Sequence, residues 1–471
     1  MGKSITVADR KNLPHIVAAR QRIENLWARG TDYCESTVAE AQAHARMLHL
    51  DMDFTGECQL KCFYCDRTPD RYSDVPNRTE LTTEQRKDII RQARELGATT
   101  IEFPGAGEPM IDPGFWEVLE YIHDNDMIPV VFTSGWHLNE LTIDRLYRLG
   151  ATIFIKHNSD DPRVQDKMVG VKGYGRVATR ALHLLVERGF ASTIPTRMAI
   201  DMVVTPHFQD MEEIGTIFRW CRDNNVHNYI MTLIPEGMAD HRQVLFEKRR
   251  ADELIEFMAR IDREEYGLEY VPSRPMGGGY RCRQVNVGLF VNLFGEVYDC
   301  NGLGRLLGHL RRDSLADIWQ STYARRVRQP DQNGFCLLRE RQWQGVDLGP
   351  MDRKTEQYLH WRNRHEADPV MENALDEISQ VEIHRRGARS RAVDVEILPA
   401  GARRAPAPPT RCPRRRPRSR RREDTGERKN ARCTRRSSTT RQYAGSPTAG
   451  STRPRRTTPS SRSCGSRSTT R

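Results

Sequence analysis

The sequence predicts an α/β fold built on a parallel sheet, and three observations carry that reading. Six short apolar runs between residues 48 and 237 alternate with amphipathic helical segments, the pattern of repeated βαβ units. Two of the runs, IPVV and AIDMVV, are almost unbroken, as expected of strands covered on both faces. The polar or glycine-rich clusters CQLKCFYC, PGAGEP, TSG, KHN and PEG each fall at a strand's carboxyl end, where sheets of this kind carry their sites.

Taken in order, residues 1–45 predict a helical extension. HIVAARQRIENLWARG closes on Gly30 and TVAEAQAHARML follows with the same apolar spacing. LHLDMDF alternates as a strand and runs into the first cysteines. TTEQRKDIIRQARELG starts on a threonine cap and stops at Gly97, and ATTIEF is the next strand. FWEVLEYIHDND (helix), IPVVFT (strand), LTIDRLYRLG (helix), ATIFIK (strand), YGRVATRALHLLVERG (helix), TRMAIDMVVT (strand), DMEEIGTIFRWCRDNN (helix) and NYIMTLI (strand) complete a domain over residues 46–272. Residues 273–345 break that alternation of strands and helices. There VGLFVNLF, a turn at Gly295 and EVYDC read as a β-hairpin with Cys282 before it and Cys300 at its end. Residues 346–400 include a helical segment, DRKTEQYLHWRNRH.

Charge separates the last segment from the rest. The chain of 471 residues carries +11, yet residues 401–471 alone hold 22 Lys or Arg against three acids, leaving the first 400 residues at −8. A mildly acidic body does not ask for nucleic acid, and a nucleic-acid-binding reading would rest on the tail alone. The tail has too few apolar residues to offset its conformational entropy, so it is predicted to be disordered. No apolar run is long enough to span a bilayer, and the N-terminus lacks a secretory hydrophobic core. The expected location is cytoplasmic, where clustered cysteines among the chain's eleven point to metal or redox chemistry rather than disulfides.

Cys58, Cys62 and Cys65 are spaced so that three thiolates on a short loop can converge on one face of a cubane cluster, leaving one iron open to chelate a small molecule. The plain alternative is a zinc knuckle, but no second CxxC or His pair follows at suitable spacing. This CxxxCxxC loop after the first strand resembles that of the radical S-adenosylmethionine (SAM) superfamily. The resemblance implies a partial (β/α)6 barrel, a 4Fe-4S cluster and reductive cleavage of SAM to a 5′-deoxyadenosyl radical. It also implies a flavodoxin-type electron donor.

Further matches follow from it. Tyr64 stands where the family prefers an aromatic residue near the adenine. Gly105, Gly107 and Glu108 in PGAGEP resemble the family's GGE motif, with Ala106 in place of the first glycine of the pair; Glu108 would accept from SAM's ammonium group. Thr133, Ser134, Lys156 and Asn158, at later strand ends, are expected near the ribose and carboxylate of SAM. Cys282, Cys300 and Cys336 resemble the opening of a SPASM or twitch region, which implies an auxiliary iron–sulfur cluster. The usual further cysteine pair is missing, so either that cluster has three thiolate ligands or the region has lost it.

For the reaction, the expectation is an enzyme resembling aminoglycoside-tailoring members that dehydrate a 1,2-diol of an amino sugar. His157, Asp201 and Glu236 are its candidate acid and base groups. A separate nicotinamide-dependent reductase would be a partner. The alternatives are an epimerase or alcohol dehydrogenase on a similar sugar, or a peptide-modifying maturase.

Overall fold

The computed structural model describes residues 5–65, 79–205, 209–232, 248–271, 284–301 and 306–328. Among them, nine strands form one sheet: β1 (His49–Met52), β2 (Thr100–Phe103), β3 (Ile128–Thr133), β4 (Thr152–Lys156), β5 (Met198–Val204), β6 (His227–Thr232), β7 (Gly288–Val291), β8 (Glu296–Tyr298) and β9 (Leu306–His309). Their order is β6-β5-β4-β3-β2-β1-β7-β8-β9. Neighbours from β6 to β7 are parallel, and β7–β8 and β8–β9 are antiparallel. The hairpin predicted at Gly295 (φ +86°) is thus not a detached module, because β7 adds to β1 and extends the barrel sheet.

The helices lie between strands as the periodicity predicts. The N-terminal extension holds α1 (Val7–Lys11), α2 (Pro14–Gln21) and α3 (Glu35–Ala43). The helix expected to run to Gly30 stops at Gln21, because Arg22 is extended (φ −155°) and a short 3₁₀ turn follows over Ile23–Leu26. Between the strands come α4 (Thr83–Glu95), α5 (Phe115–Asp124), α6 (Glu140–Arg148), α7 (Pro162–Val169), α8 (Tyr174–Glu187) and α9 (Met211–Asp223). Then come α10 (Lys248–Ile261), α11 (Gln284–Val287), α12 (Leu315–Gln320) and α13 (Thr322–Val327). Thr82 and Ser314 close capping boxes on α4 and α12, each satisfying otherwise orphaned amide groups.

Strand alternation sorts the two faces. Leu50, Met52, Ile101, Phe103, Val131, Ile153, Ile155, Ile200 and Met202 join Ile89, Val118, Leu146, Leu185 and Ile217 of the helices in the main core. The opposite, inner face carries Val130, Phe132, Phe154, Ala199 and Tyr229, closed at the amino ends by Ala28. That inner face also carries His49, Asp51 and Glu102. The segments expected over 346–400 and 401–471 lie outside the described residues.

Candidate active site

The loop that follows β1 is held from two sides. From the loop after β2, Glu108 N donates to Glu57 O (2.8 Å); from α7, Val169 O and Met168 O accept from Lys61 N (2.9 Å) and Phe63 N (3.3 Å). Between these clamps Cys58, Cys62 and Cys65 are half-buried. Cys58 and Cys62 pack beside Leu60, Val169, Tyr174 and Ala178, and Cys58 Sγ accepts from Leu60 N (3.4 Å). Burial pushes the Cys62 thiol up to about 11, while the Tyr64 hydroxyl and the Lys156 ammonium pull it back down. Both are groups that stabilise a thiolate ligand.

PGAGEP docks onto this loop with no space to spare. Gly105 has φ +92°, a conformation that favours glycine. A Cβ on Gly107 would lie 2.1 Å from Glu57 O and 2.7 Å from Thr55 O. Glu108, 2% exposed, accepts from Thr133 Oγ1 (2.7 Å), Ser134 N (2.8 Å) and Ser134 Oγ (2.5 Å). Four of the predicted cofactor contacts, Gly107, Glu108, Thr133 and Ser134, therefore form one cluster against the cysteine loop.

The next two strand ends form a second cluster. Lys156 Nζ pairs with Asp201 Oδ2 (2.5 Å), its register partner on β5, and sits 5.5 Å from the centre of the Tyr64 ring. Asn158 Nδ2 donates to Tyr64 OH (2.8 Å), and Asn158 Oδ1 accepts from Val203 N (2.8 Å). Burial and the neighbouring Cys62 hold the Tyr64 hydroxyl well above the usual tyrosine range, so it is a neutral donor there. His157 is buried but turned to the following loop, with Nε2 2.8 Å from Asp160 Oδ1, and it does not join the Lys156–Asp201 pair. Of the three candidate acid–base groups, Asp201 is thus the one seen beside the cofactor cluster. Glu236 lies outside the described residues, as do Cys282 and Cys336. Cys300 is half-buried after β8 and packs on the main core.

Sequence reasoning missed two supports. Gln59, inside the cysteine motif, donates to Ser134 Oγ (3.1 Å), and Tyr174 OH donates to Ser134 O (2.9 Å) and Lys156 O (3.3 Å). Gln59 had a signal, since it sits within the motif. Tyr174 reads locally as one more aromatic at a helix start.

Residues 52–221 match the family described as the radical SAM superfamily, and residues 282–338 match the iron–sulfur cluster-binding SPASM domain. The chain thus carries a radical SAM domain followed by a SPASM-type region. Among its relatives is the AdoMet-dependent heme synthase of Methanosarcina barkeri, 24% identical over 322 residues, which cover 61% of this chain and 87% of that protein. Another is the PqqA peptide cyclase of Granulibacter bethesdensis, 25% identical over 316 residues, covering 62% and 80%. Among solved structures, Streptococcus suis SuiB bound to SAM superposes with a TM-score of 0.49 at 16% identity, covering 62% of this chain and 70% of that one.

The radical SAM enzyme's cofactors are a 4Fe-4S cluster, SAM and an auxiliary iron–sulfur cluster. The residues present fit the first two: three cysteines on one clamped loop, a buried carboxylate held by three donors, and a glycine where any side chain would collide. When bound together, cluster and SAM supply a carbon-centred radical. The chain's own part is to hold and orient them. Glu108 would offer acceptor oxygens fixed by Thr133 and Ser134, and Lys156 lies against the Tyr64 ring. Of the three cysteines expected at the auxiliary cluster, Cys300 is the one among the described residues. No helix among the described residues is long and apolar enough to cross a membrane.

Proposed function

We propose that this radical SAM enzyme modifies a peptide, abstracting hydrogen from a side chain or backbone carbon with the SAM-derived radical. The observation that carries the chemistry is the three-cysteine loop locked against Glu108, Thr133 and Ser134 at the strand ends. The peptide substrate is supported by the similarity to a peptide cyclase that spans four-fifths of that relative's length. The amino-sugar diol expected from the sequence finds no counterpart in the names of the relatives above, whereas the peptide alternative does. Asp201, paired with Lys156, is the proposed acceptor of the proton that the peptide radical then loses, and the iron–sulfur clusters take its remaining electron. A low-potential donor of the flavodoxin type is the proposed electron source.

The test is anaerobic incubation of reconstituted, reduced enzyme with SAM and three substrate arms: a library of short peptides, a panel of amino sugars, and iron coproporphyrin. The expected result is 5′-deoxyadenosine together with a peptide lighter by two hydrogens. Turnover of a sugar or the porphyrin, with every peptide unchanged, would overturn the reading.

A further inference from the structure

The loop after β2 that carries Glu108 is also gripped by the hairpin. We propose that the turn between β7 and β8, through Leu293 and Phe294, is a positioning element for SAM: it sets where Ala106 lies, and with it Glu108. The role depends on Glu108 being the SAM contact of the proposed function.

The local sequence leaves one point of contact. Gly105 and Gly107 have no side chains, so the Ala106 methyl is the one handle on the middle of this loop. It is 2% exposed and forms a buried apolar cluster with Leu293 and Phe294, separate from the main core. The backbone on either side is constrained as well. Gly105 takes φ +92°, Gly107 lies against the carbonyls of Glu57 and Thr55, and Glu108 N is bonded to Glu57 O. The cysteine loop thus fixes the end of the PGAGEP loop through its backbone, and the hairpin turn fixes its middle through a methyl group. Glu108 follows two residues on, so a shift of Ala106 is carried to its carboxylate.

A positioning element must itself be stiff, and this turn is tied down along its length. Asn292 Oδ1 accepts from Phe294 N and Glu296 N (both 3.0 Å), and Gly295 N donates to Asn292 O (3.1 Å). Asn292 Nδ2 donates to Glu296 Oε2 (2.6 Å), which also accepts from Tyr298 OH (2.7 Å). From outside the hairpin, Leu81 N donates to Leu293 O (2.8 Å), Leu310 N to Gly295 O (2.7 Å) and Arg311 Nε to Phe294 O (3.4 Å). None of these bonds involves a cysteine, so this frame stands without the auxiliary cluster. A loop held in place before SAM arrives does not have to be ordered by the binding itself, and affinity rises accordingly.

Equilibrium binding of SAM to the full-length, cluster-loaded protein tests this, with iron content measured alongside. Phe294→Ala is expected to bind SAM about tenfold more weakly, ~1.4 kcal/mol, with iron content unchanged. Phe294→Leu keeps an apolar contact and should recover most of the affinity. Ala106→Gly leaves three glycines in a row and should weaken SAM binding about as much as Phe294→Ala. In the double variant the two losses should overlap rather than add, because both act through one contact. Ala106→Gly removes a single methyl group, so it decides the matter should Phe294→Ala fail to load its cluster. Wild-type affinity in Phe294→Ala or Ala106→Gly, with Glu108→Gln weakened, overturns the role of the turn and leaves Glu108 in the site. Unchanged affinity in all three removes Glu108 and the turn together. Additive losses in the double variant overturn the path through Ala106.

Discussion

At the scale of single residues, Gly107 and Glu108 do different work, and substitutions should separate it. A methyl group at Gly107 must displace the carbonyls of Glu57 and Thr55, which belong to the same loop as the three cysteines. Gly107→Ala is therefore expected to lower cluster iron as well as SAM binding. Glu108→Gln leaves the backbone alone but replaces one acceptor oxygen by an amide that meets a Thr133 or Ser134 donor head-on. It should keep its iron and bind SAM about tenfold more weakly, a loss of ~1.4 kcal/mol. Iron assay and equilibrium binding of SAM read both effects, and unchanged SAM affinity in Glu108→Gln would remove that carboxylate from the site.

Between elements, the firmest polar link in the described helices is the pair of Arg222 in α9 with Asp262, just past α10. Arg222 Nε and Nη2 each donate to an Asp262 oxygen at 2.9 Å, with side chains 4% and 0% exposed. Removing one partner leaves a buried charge alone, so Asp262→Ala is expected to cost about 3–5 kcal/mol of unfolding free energy. Denaturant unfolding followed by circular dichroism measures it, and a loss below about 1 kcal/mol would show that water reaches the guanidinium. Elements of the barrel were legible because apolar runs and caps repeat at the right periods, as in IPVVFT or TTEQRKDIIRQARE. Helix α7 escaped that reading. It is eight residues long, begins on Pro162, and carries its buried Met168 and Val169 only in its last turn, so no full amphipathic period is visible. The cysteine loop and Glu108 were legible as motifs. The inner-face group of His49, Asp51 and Glu102 was not, although LHLDMDF places His49 and Asp51 two apart in a strand whose partners cover both faces. Alternation there reads as a solvent face in a sequence, and only the register with Glu102 and Gly288 shows it to be buried.

Across the whole molecule, the parallel barrel strands and the SPASM-type hairpin share one sheet through the β1–β7 pairing, yet they serve separate iron sites. The first site is proposed to draw its ligands from Cys58, Cys62 and Cys65 in the loop after β1, and the second from Cys282, Cys300 and Cys336. Cys300 N is tied to its own neighbour Asp299 (2.9 Å), and the residue packs on the main core rather than on the small cluster around Cys58 and Cys62. Ligand loss at one site should therefore leave the other loaded. Replacing Cys58, Cys62 and Cys65 by Ala is expected to abolish SAM cleavage while retaining about four irons per chain, the content of one cubane. Replacing Cys282, Cys300 and Cys336 should leave a similar iron content at the first site, with SAM cleavage preserved and peptide turnover lost. Iron analysis, sulfide analysis and 5′-deoxyadenosine formation on the two triple variants give distinguishable patterns. An iron-free first variant would mean that the auxiliary cysteines cannot hold a cluster by themselves. SAM cleavage persisting in that same variant would remove the loop after β1 from the chemistry altogether.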